Sequence, residues 1–443
     1  MSDHPVVVIG AGPQGLAAAA HLLERGLTPL VLEQGAEPAA AVAEWGHVRL
    51  FSAWPELVDQ AAARLLSRSI DGGWTAPESG YPTGGQWIDG YLAPLAAALR
   101  DHVRYDTRVV AVSRKGRDRL VDAGRAEQPF TVHVSDASGV EERLEARAVI
   151  DASGTWRKPS PAGADGIPAL GEAAATAAGL VSYAVPDSAH PGRYAGKHTV
   201  VIGAGASAFN AIIELTRIAA AHPGTTITWA LRRTVSGATF GGGTADELPQ
   251  RGALGLRAKR AVEEGAVRLL TGFRTEHFTI VDGAAVVRSE DGRALEPADN
   301  VVVLTGFRPD LSFLSELRLD LDPTLEAPRR IAVEIDPNIH SCGSVRATGA
   351  ADLAQPEPDL YLVGMKSYGR APTFLALTGY EQVRSVVAEL AGDHEAAQRV
   401  DLVLPDTGVC GGAGVFDEPT GDAGSCCGTA EPEVLSIGVS VTS

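Results

Sequence analysis

The chain opens on an apolar run that breaks into glycines and then continues with a helical pattern of apolar positions. Residues 6–9 are all Val or Ile, residues 10–15 include three glycines, and residues 16–25 are rich in alanine and leucine. A buried strand that turns sharply into a helix directs the unpaired N–H groups of the first helical turn, and the positive end of the helix dipole, beyond the turn. The pattern therefore predicts a phosphate-binding strand–turn–helix unit.

Glycine and acidic positions around this unit narrow the ligand to a dinucleotide. Gly10 makes the tight turn, Gly12 lets a pyrophosphate approach the backbone, and Gly15 lets the helix pack closely on the strand. Glu33 ends the next apolar run, residues 29–32, where a carboxylate can accept hydrogen bonds from both hydroxyls of an adenosine ribose. The glycines alone are weak evidence for a dinucleotide site. The signal is far more specific when a strand precedes them and a helix, a second strand and an acid follow.

The same pattern recurs in the middle of the chain. An apolar run at residues 199–202 leads into Gly203-Ala-Gly205-Ala-Ser207-Ala208, and a helical stretch and a second apolar run, residues 226–231, follow. Ala208 stands where the first copy has its third glycine, which is an accepted variant of the motif. The sequence therefore contains an internal repeat of the dinucleotide-binding unit.

The two copies differ in the charge that follows their second strand. The first copy has Glu33 there, and the second has Arg232 and Arg233. Arginine can grip a dianionic ribose phosphate that glutamate would repel. The second copy is therefore predicted to prefer NADPH to NADH. The alternative is that the two arginines are surface charges on a solvated strand end.

The remaining patterns alternate between strands and helices, which predicts an α/β fold. Residues 152–154 are small and follow an apolar run, an ending that suits close approach to a nucleotide, and residues 159–190 are rich in Pro, Gly and Ala, as expected of a segment that crosses between domains. The other predicted elements are helices over residues 87–99, 257–264 and 373–390, and strands over residues 103–112, 130–134, 148–151, 300–304 and 359–364.

Composition and charge exclude several classes of partner. The 443 residues are 45% hydrophobic and carry a formal net charge of −17, so no basic face for nucleic acid or for an anionic membrane is expected. No apolar run other than the N-terminal one approaches the length of a membrane span, and that run lacks the basic start of a signal peptide. These features predict a cytoplasmic protein, with a homodimer left open.

The chain has only four cysteines, and all of them lie in its C-terminal part. Cys342 is followed only by Cys410, Cys426 and Cys427 in a segment, residues 401–443, that has seven acidic residues and no Lys or Arg. Sparse cysteine usage fits a reducing compartment. The composition of the segment predicts a flexible acidic tail.

These motifs resemble the two-dinucleotide-binding flavoproteins, and within them the flavin-containing monooxygenases. The resemblance rests on the paired glycine turns, on Tyr183-Ala-Val-Pro186 and Tyr194-Ala-Gly-Lys197 before the second turn, and on Ala152-Ser-Gly-Thr-Trp156. It implies two Rossmann-like dinucleotide-binding domains, the NADPH domain inserted in the FAD domain, with FAD and NADPH as cofactors.

The resemblance also implies domain limits and site residues. The FAD domain spans residues 1–185 and 306–400, with an aromatic substrate-side segment at residues 44–105, and the NADPH domain spans residues 186–305. The FAD site is expected from Gly10, Gly12, Pro13, Gln14, Gly15, Glu33, Trp45, Arg49, Val109, Ser153, Gly154 and Gly364. The NADPH site is expected from Gly203, Gly205, Ala206, Ser207, Ala208, Arg232 and Arg233. No metal site is expected.

Two positions depart from the family pattern, and one part of the site has a structural alternative. Gly179 stands where the monooxygenases have a histidine, and Met365 where an aspartate commonly contacts the flavin, so other residues are expected to contact the flavin's ribityl chain.

Trp45 and Arg49 are candidates for the floor of the flavin pocket. The alternative is that Trp45 is a core ring and Arg49 a surface charge.

Three functions fit the sequence. The first is a monooxygenase that uses O2 on a small molecule, with the aromatic segment as a dry wall. The second is a reductase that passes electrons to a disulfide or an arsenic species through Cys426 and Cys427, with Cys410 as a third soft ligand. Thioredoxin reductases have their redox cysteines in the NADPH domain, where this chain has none. The third function, a minor alternative, is a redox sensor.

The closest overall resemblance is to flavoproteins of actinobacterial arsenic-resistance gene clusters. It rests on the run Trp229-Ala-Leu-Arg-Arg233, on the triple glycine at residues 241–243 and on the cysteines of the tail. It implies an arsenic-linked substrate, and it keeps FAD and NADPH as the cofactors.

Overall fold

The computed structural model describes residues 4–70, 73–234, 239–241, 243, 246, 248–336, 346–372 and 374–402. Two parallel β-sheets organise this part of the chain. All strands of the second sheet lie in sequence between two strands of the first sheet. The predicted α/β class, with one dinucleotide-binding fold inserted in another, is confirmed.

The first sheet has five parallel strands whose central member is the N-terminal one. Val6 and Val8 face one side, where they pack against helices Pro13–Glu24 and Ala376–Leu390, whereas Val7 and Ile9 face the other side. A three-stranded antiparallel sheet covers that second side. In spatial order the first sheet is Leu360–Leu362, Ala148–Asp151, Val6–Ile9, Pro29–Leu32 and Val103–Arg104, and the antiparallel sheet is Thr107–Arg114, Phe130–Asp136 and Glu141–Ala146.

The second sheet repeats this plan with five parallel strands. Helices Ala206–Ala221 and Pro249–Glu263 pack on one face. Helix Glu172–Ala177 and the hairpin Thr275–Val281 with Ala284–Ser289 pack on the other. The spatial order of the strands is Arg268–Leu270, Thr226–Ala230, His198–Ile202, Asn300–Val303 and Val181–Ser182.

Shorter elements fill the space around the two sheets. Among the described residues, no helix is long and apolar enough to cross a membrane. The further helices are Ala40–Ala43, Gln60–Ser69, Gly84–Trp87, Ala93–Ala98, Arg329–Ile335, Ala350–Leu353 and His394–Gln398, and the shorter or wider helical turns are Trp54–Glu56, Ile88–Leu92, Arg100–His102, Pro191–Arg193, Ser312–Leu314 and Gly364–Tyr368.

The predicted strand over residues 103–112 is two strands that belong to different sheets. Val103–Arg104 is the edge of the first parallel sheet, and Thr107–Arg114 begins the antiparallel one. Asp106 between them has a φ of 49°, in the left-handed region, and its N–H donates to the Gly35 carbonyl at 3.0 Å. The chain therefore changes direction at Asp106, which residue-type preferences for strand do not reveal.

The second sheet begins earlier in the chain than the predicted NADPH domain, residues 186–305, and its last strand lies inside the predicted limits. Val181–Ser182 pairs with Asn300–Val303 in the second sheet, although a boundary after residue 185 assigns it to the first unit. The strand Asn300–Val303 is itself part of the second sheet, and the return to the first unit follows it. The two crossing segments meet where Ser160 N–H donates to the Gly306 carbonyl at 2.8 Å.

A buried ion network ties the antiparallel sheet to the strand Leu360–Leu362. The Glu357 carboxylate, 1% exposed, accepts hydrogen bonds from Arg114 at 2.8 Å and from Arg125 at 2.7 Å. The Arg114 guanidinium also lies 3.7 Å from the centre of the Phe130 ring. Because the carboxylate has two cationic partners, its burial is compensated.

Candidate dinucleotide sites

In the first glycine turn, a side chain would have space at Gly12 but not at Gly10 or Gly15. Gly10 has a φ of +100°, and a Cβ on it would lie 3.0 Å from the Ala152 carbonyl oxygen. A Cβ on Gly15 would lie 1.9 Å from the Gly10 carbonyl oxygen, so only glycine permits this close packing of helix on strand. A Cβ on Gly12 would meet no atom within 4 Å. The open space at Gly12 lies where a pyrophosphate is expected.

The helix that follows the turn has no side-chain cap. Pro13–Glu24 begins directly after Gly12, and no side chain accepts from its first N–H groups. Such N–H groups, together with the dipole, favour an anion at the helix start. The turn thus fits the phosphates of FAD.

Glu33 follows the second strand of the first sheet, and its side chain lies against the glycine turn. One carboxylate oxygen accepts from the Ala11 N–H at 2.8 Å, and the other accepts from the Gly35 N–H at 2.8 Å. The side chain is buried. A carboxylate oxygen accepts more than one hydrogen bond, so both oxygens retain capacity for ribose hydroxyls.

Gln14 and Gly364 are brought together where the first sheet ends. Gly364 has a φ of +68°, and a Cβ on it would lie 3.1 Å from Gln14 Cγ. A Cβ on Gly379, in the helix Ala376–Leu390, would lie 2.7 Å from the same atom. The Gln14 side chain therefore fills the space between the starts of two helices, and its Nε2 donates to the Ala376 carbonyl at 3.4 Å.

Ser153 and Gly154 form a turn that abuts the first glycine turn. The Cα of Ser153 would lie 3.1 Å from a Cβ on Gly10, and Gly154 has a φ of +67°. Asp151 and Lys366, which the sequence analysis did not single out, make a buried ion pair beneath this turn at 2.7 Å. An acid at the end of one apolar strand and a lysine just after another were the signals available for them.

The other three predicted flavin residues pack elsewhere. Trp45 is half-buried, and its ring lies under Gly84, where a Cβ would approach it to 2.9 Å. Arg49 donates to the Tyr81 carbonyl. Val109 is buried in the core between the first sheet and the antiparallel sheet. These are packing roles, and contacts of the three residues with a flavin remain a prediction.

Two rings of the aromatic segment belong to the hydrophobic core. Trp87 is buried and donates to the Leu57 carbonyl at 3.0 Å. Tyr91 is buried beside Trp74, with ring centroids 5.8 Å apart, and burial raises the pKa of its phenol. Trp87 and Tyr91 are therefore core residues.

Two polar contacts join the aromatic segment to the rest of the molecule. Glu44 accepts from Trp156 Nε1 at 2.8 Å, and Trp156 packs on Phe307 with ring centroids 5.0 Å apart. His47 Nε2 lies 3.1 Å from the Pro186 carbonyl oxygen at the entrance to the second unit. The segment thus contacts Trp156, just before the first crossing segment, and Pro186 in the second unit.

The second glycine turn repeats the geometry of the first. Gly203 has a φ of +138°, and a Cβ on it would lie 2.2 Å from the Leu304 carbonyl oxygen. A Cβ on Gly205 would meet no atom within 4 Å. Ala206 and Ser207 begin the helix, which has no side-chain cap, and Ala208 is fully buried where the first copy has Gly15.

A tryptophan supports the second turn in a way that the sequence analysis missed. Trp229, fully buried in the strand Thr226–Ala230, donates from its indole N–H to the Gly203 carbonyl at 2.8 Å. Its ring packs edge-on against Phe209 and Phe240. An aromatic residue in an apolar strand gave no signal for this contact, because its partner is a backbone atom distant in sequence.

The arginine pair follows the second strand of the second sheet. Arg232 is exposed and donates one N–H to the Ala164 carbonyl at 2.8 Å. Arg233 is half-buried, and its carbonyl accepts from the Gly272 N–H at 3.1 Å. Guanidinium has five N–H donors, so the contact of Arg232 leaves others for a phosphate. Phosphate recognition by this pair remains a prediction.

The tyrosine of the Tyr-Ala-Val-Pro motif has a structural partner. The Tyr183 hydroxyl donates to Glu172 at 2.6 Å, and the same carboxylate accepts from the Ala162 and Ala169 N–H groups. Burial and the Glu172 carboxylate raise the pKa of Tyr183 to about 12. Tyr183 thereby anchors the loop that enters the second unit.

Cys342, Cys410, Cys426 and Cys427 lie outside the described residues. Within the described ranges, no group of three or more His, Cys, Asp or Glu side chains is arranged to hold a metal ion.

Two glycine turns, each at the carboxyl edge of a parallel sheet, define a protein that binds two dinucleotides. The family model of the pyridine nucleotide-disulphide oxidoreductases matches residues 7–328, and the chain belongs to this family. The prediction that FAD and NADPH are the cofactors is confirmed at the level of the family. No curated protein sequence matches the chain significantly.

Proteins of known structure that share this fold are named as reductases, hydroxylases and monooxygenases. Bacillithiol disulfide reductase from Bacillus cereus is 21% identical with a TM-score of 0.63, over 88% of this chain and 99% of that one. Ornithine hydroxylase from Pseudomonas aeruginosa is 17% identical with a TM-score of 0.57, over 89% and 100%. A double mutant of a flavin monooxygenase from Stenotrophomonas maltophilia is 24% identical with a TM-score of 0.53, over 88% and 99%. At these identities the likeness shows the fold alone.

Proposed function

We propose that this flavin-dependent pyridine-nucleotide oxidoreductase is of the monooxygenase type and transfers electrons from NADPH through FAD to O2, acting on a small molecule. One observation carries the proposal: no cysteine occurs among residues 1–341. These residues contain both glycine turns, so neither dinucleotide-binding unit has a dithiol of its own to receive electrons. A direct acceptor at the flavin requires no such dithiol.

The chain's own residues bind and orient the cofactors. Bound FAD would supply the capacity to take up a hydride from NADPH and pass the electrons on. The turn at Gly12 would hold the pyrophosphate of FAD, and Glu33 would accept from its ribose hydroxyls. The turn at Gly205 would hold the pyrophosphate of NADPH, and Arg232 and Arg233 would bind the 2′-phosphate.

The aromatic segment supplies the apolar side of the reaction space. Trp45 and Trp54 are half-buried against the first core, each packed on a glycine, Gly84 or Gly90. The contact of His47 with the Pro186 carbonyl closes the segment against the second unit. Apolar walls that exclude water strengthen the electrostatic interactions inside a site and prevent side reactions.

A second candidate function is reduction of a disulfide or of an arsenic species through the tail. Its support is the adjacent pair Cys426 and Cys427, with Cys410 as a further soft ligand. Acidic neighbours disfavour the thiolate form that such a transfer needs, since a nearby like charge raises the pKa of a thiol. The monooxygenase-type reaction is therefore the first proposal.

Oxygen dependence separates the two functions. We expect the triple variant Cys410→Ser, Cys426→Ser, Cys427→Ser to oxidise NADPH in air at the wild-type rate and to consume O2 with it. Anaerobic turnover with a disulfide or arsenate as acceptor, lost in the triple variant and retained in the control Cys342→Ser, would overturn the proposal in favour of the reductase.

A further inference from the structure

A buried ion pair supports the Ser153 turn at the carboxyl edge of the first sheet. Lys366 Nζ lies 2.7 Å from Asp151 Oδ2, and the two side chains are 1% and 0% exposed. The same ammonium group donates to Ser153 Oγ at 2.8 Å and lies 4.4 Å from the centre of the Phe313 ring. Ser153 Oγ in turn donates to Asp151 Oδ1 at 2.6 Å.

The second sheet makes the same turn without any charge. Gly203 contacts the Leu304 carbonyl as Gly10 contacts the Ala152 carbonyl, which aligns residues 303–306 with residues 151–154. Val303, buried, stands where the first sheet has Asp151, and Thr305 stands where it has Ser153. Burying an ion pair costs desolvation free energy that a hydrophobic replacement avoids. The fold of the turn thus does not require the pair, which indicates a functional reason for it.

The pair fixes the proton of the Ser153 hydroxyl. Carboxylate only accepts hydrogen bonds and ammonium only donates them, so Ser153 Oγ must donate to Asp151 and accept from Lys366. Its single proton is then committed, and the remaining lone pair can only accept. Ser153 is exposed at the edge of the sheet, where this lone pair is available to a ligand.

The order of the strands indicates which part of FAD meets Ser153. The strands that carry Glu33 and Asp151 flank the central strand on opposite sides. With the pyrophosphate at the turn after the central strand and the adenosine ribose at Glu33, the other half of the cofactor extends towards Ser153. That half carries the hydroxyls of the ribityl chain, which can donate, whereas phosphate oxygens cannot.

We propose that Asp151 and Lys366 are positioning residues that hold Ser153 as a pure hydrogen-bond acceptor for a ribityl hydroxyl of FAD. The inference rests on the proposed placement of FAD at the first glycine turn. It assigns the ribityl contact to the strand end after residue 151.

The test is the affinity of the apoprotein for FAD and for FAD analogues that each lack one ribityl hydroxyl. We expect Ser153→Ala to weaken FAD binding about tenfold, which corresponds to the loss of one hydrogen bond. Ser153→Thr, which introduces the residue of the second sheet, should keep the affinity. For one analogue, Ser153→Ala should cause no further loss, because its hydrogen bond is already absent.

The uncharged double variant Asp151→Val with Lys366→Met keeps the test valid if single variants fail to fold. It should unfold at the wild-type temperature or above it, bind NADPH as the wild type does, and lose several-fold in FAD affinity with an altered visible flavin spectrum. Wild-type affinity and spectrum in both Ser153→Ala and the double variant would overturn the inference while FAD binding stands. Equal loss for every analogue would overturn the acceptor role. A wild-type protein that does not bind FAD would overturn the placement of the cofactor as well.

Discussion

Glu33 Oε2 accepts a hydrogen bond from the Ala11 N–H at 2.8 Å, so the acid that ends one strand is fixed to the turn that ends its neighbour. Replacing Glu33 with Gln keeps the shape of the side chain but places an N–H₂ group against one of two N–H donors. We expect FAD affinity to fall roughly tenfold or more, since a buried donor loses its partner. Titration of apoprotein with FAD measures this loss, with Glu37→Gln as an exposed control on the same side of the turn. Equal affinities in the two variants would contradict the assigned role of Glu33.

Changing Gly12 to alanine and changing Gly15 to alanine are expected to have different effects, the first on FAD affinity and the second on stability. A Cβ at position 12 meets no protein atom within 4 Å, so Gly12→Ala should leave the unfolding temperature unchanged and weaken FAD by filling the phosphate space. A Cβ at position 15 would lie 1.9 Å from the Gly10 carbonyl oxygen. Gly15→Ala should therefore lower the free energy of unfolding by about 1–3 kcal/mol, as overpacking does.

Thermal unfolding of the apoproteins and FAD titration separate the two effects. The matched control is Ala208→Gly, which introduces the first-copy residue at the equivalent position of the second turn. It should lower stability, because a buried methyl group is lost and glycine disfavours the helix, and it should leave FAD affinity unchanged. A Gly12→Ala protein that binds FAD as tightly as the wild type would contradict the position of the pyrophosphate.

Arg232 and Arg233 are expected to set the choice between NADPH and NADH. The double variant Arg232→Glu with Arg233→Glu should raise the KM for NADPH by one to two orders of magnitude, the range of charge-assisted hydrogen bonds, and leave the KM for NADH nearly unchanged. Arg260→Glu, an exposed charge reversal in helix Pro249–Glu263, is the control. A ratio of the two KM values that matches the wild type would refute the assignment.

Glu357 is expected to make the stability of the protein sensitive to acid. Burial opposes its ionisation, but the hydrogen bonds from Arg125 and Arg114 outweigh this and lower its pKa. A carboxyl whose pKa is lowered on folding adds stability above its unfolded pKa of about 4.3, and that stability is lost as pH falls through the folded value.

Glu357→Gln should reduce the free energy of unfolding at pH 7 by about 3–5 kcal/mol, because two buried guanidinium groups lose their counter-charge. It should also flatten the fall in stability below about pH 4. Denaturant unfolding at several pH values measures both effects. Glu145→Gln, at a surface ion pair with Lys115, should leave the stability close to that of the wild type. A Glu357→Gln protein with the wild-type pH dependence would contradict the role of the network.

The sequence was sufficient for the parts of the molecule that local rules determine. Both glycine turns, the acid after one second strand and the arginines after the other follow from short-range patterns with a known physical purpose. Because the dinucleotide-binding pattern occurs twice, each copy supports the interpretation of the other. The parallel sheets and the insertion of one unit in the other follow from these patterns and from the family resemblance.

Contacts between residues distant in sequence could not be predicted in the same way. Lys366 and Asp151 are 215 positions apart. They meet because the strand Leu360–Leu362, which precedes Lys366, pairs with the strand that ends at Asp151. Trp229 looks like an ordinary core residue until its bond to the Gly203 carbonyl is seen. The break at Asp106 depends on a single left-handed residue. Tertiary pairing and local backbone geometry decide these features.

The central claim is that the chain has one binding site for FAD and a second for NADPH. Anaerobic titration of the FAD-loaded protein with NADPH tests this claim most directly. The account predicts that one FAD binds per chain, that one equivalent of NADPH bleaches its visible absorbance, and that NADH does so far more slowly. A protein that stays colourless when FAD is supplied, or a bound flavin that NADPH does not bleach, would contradict it.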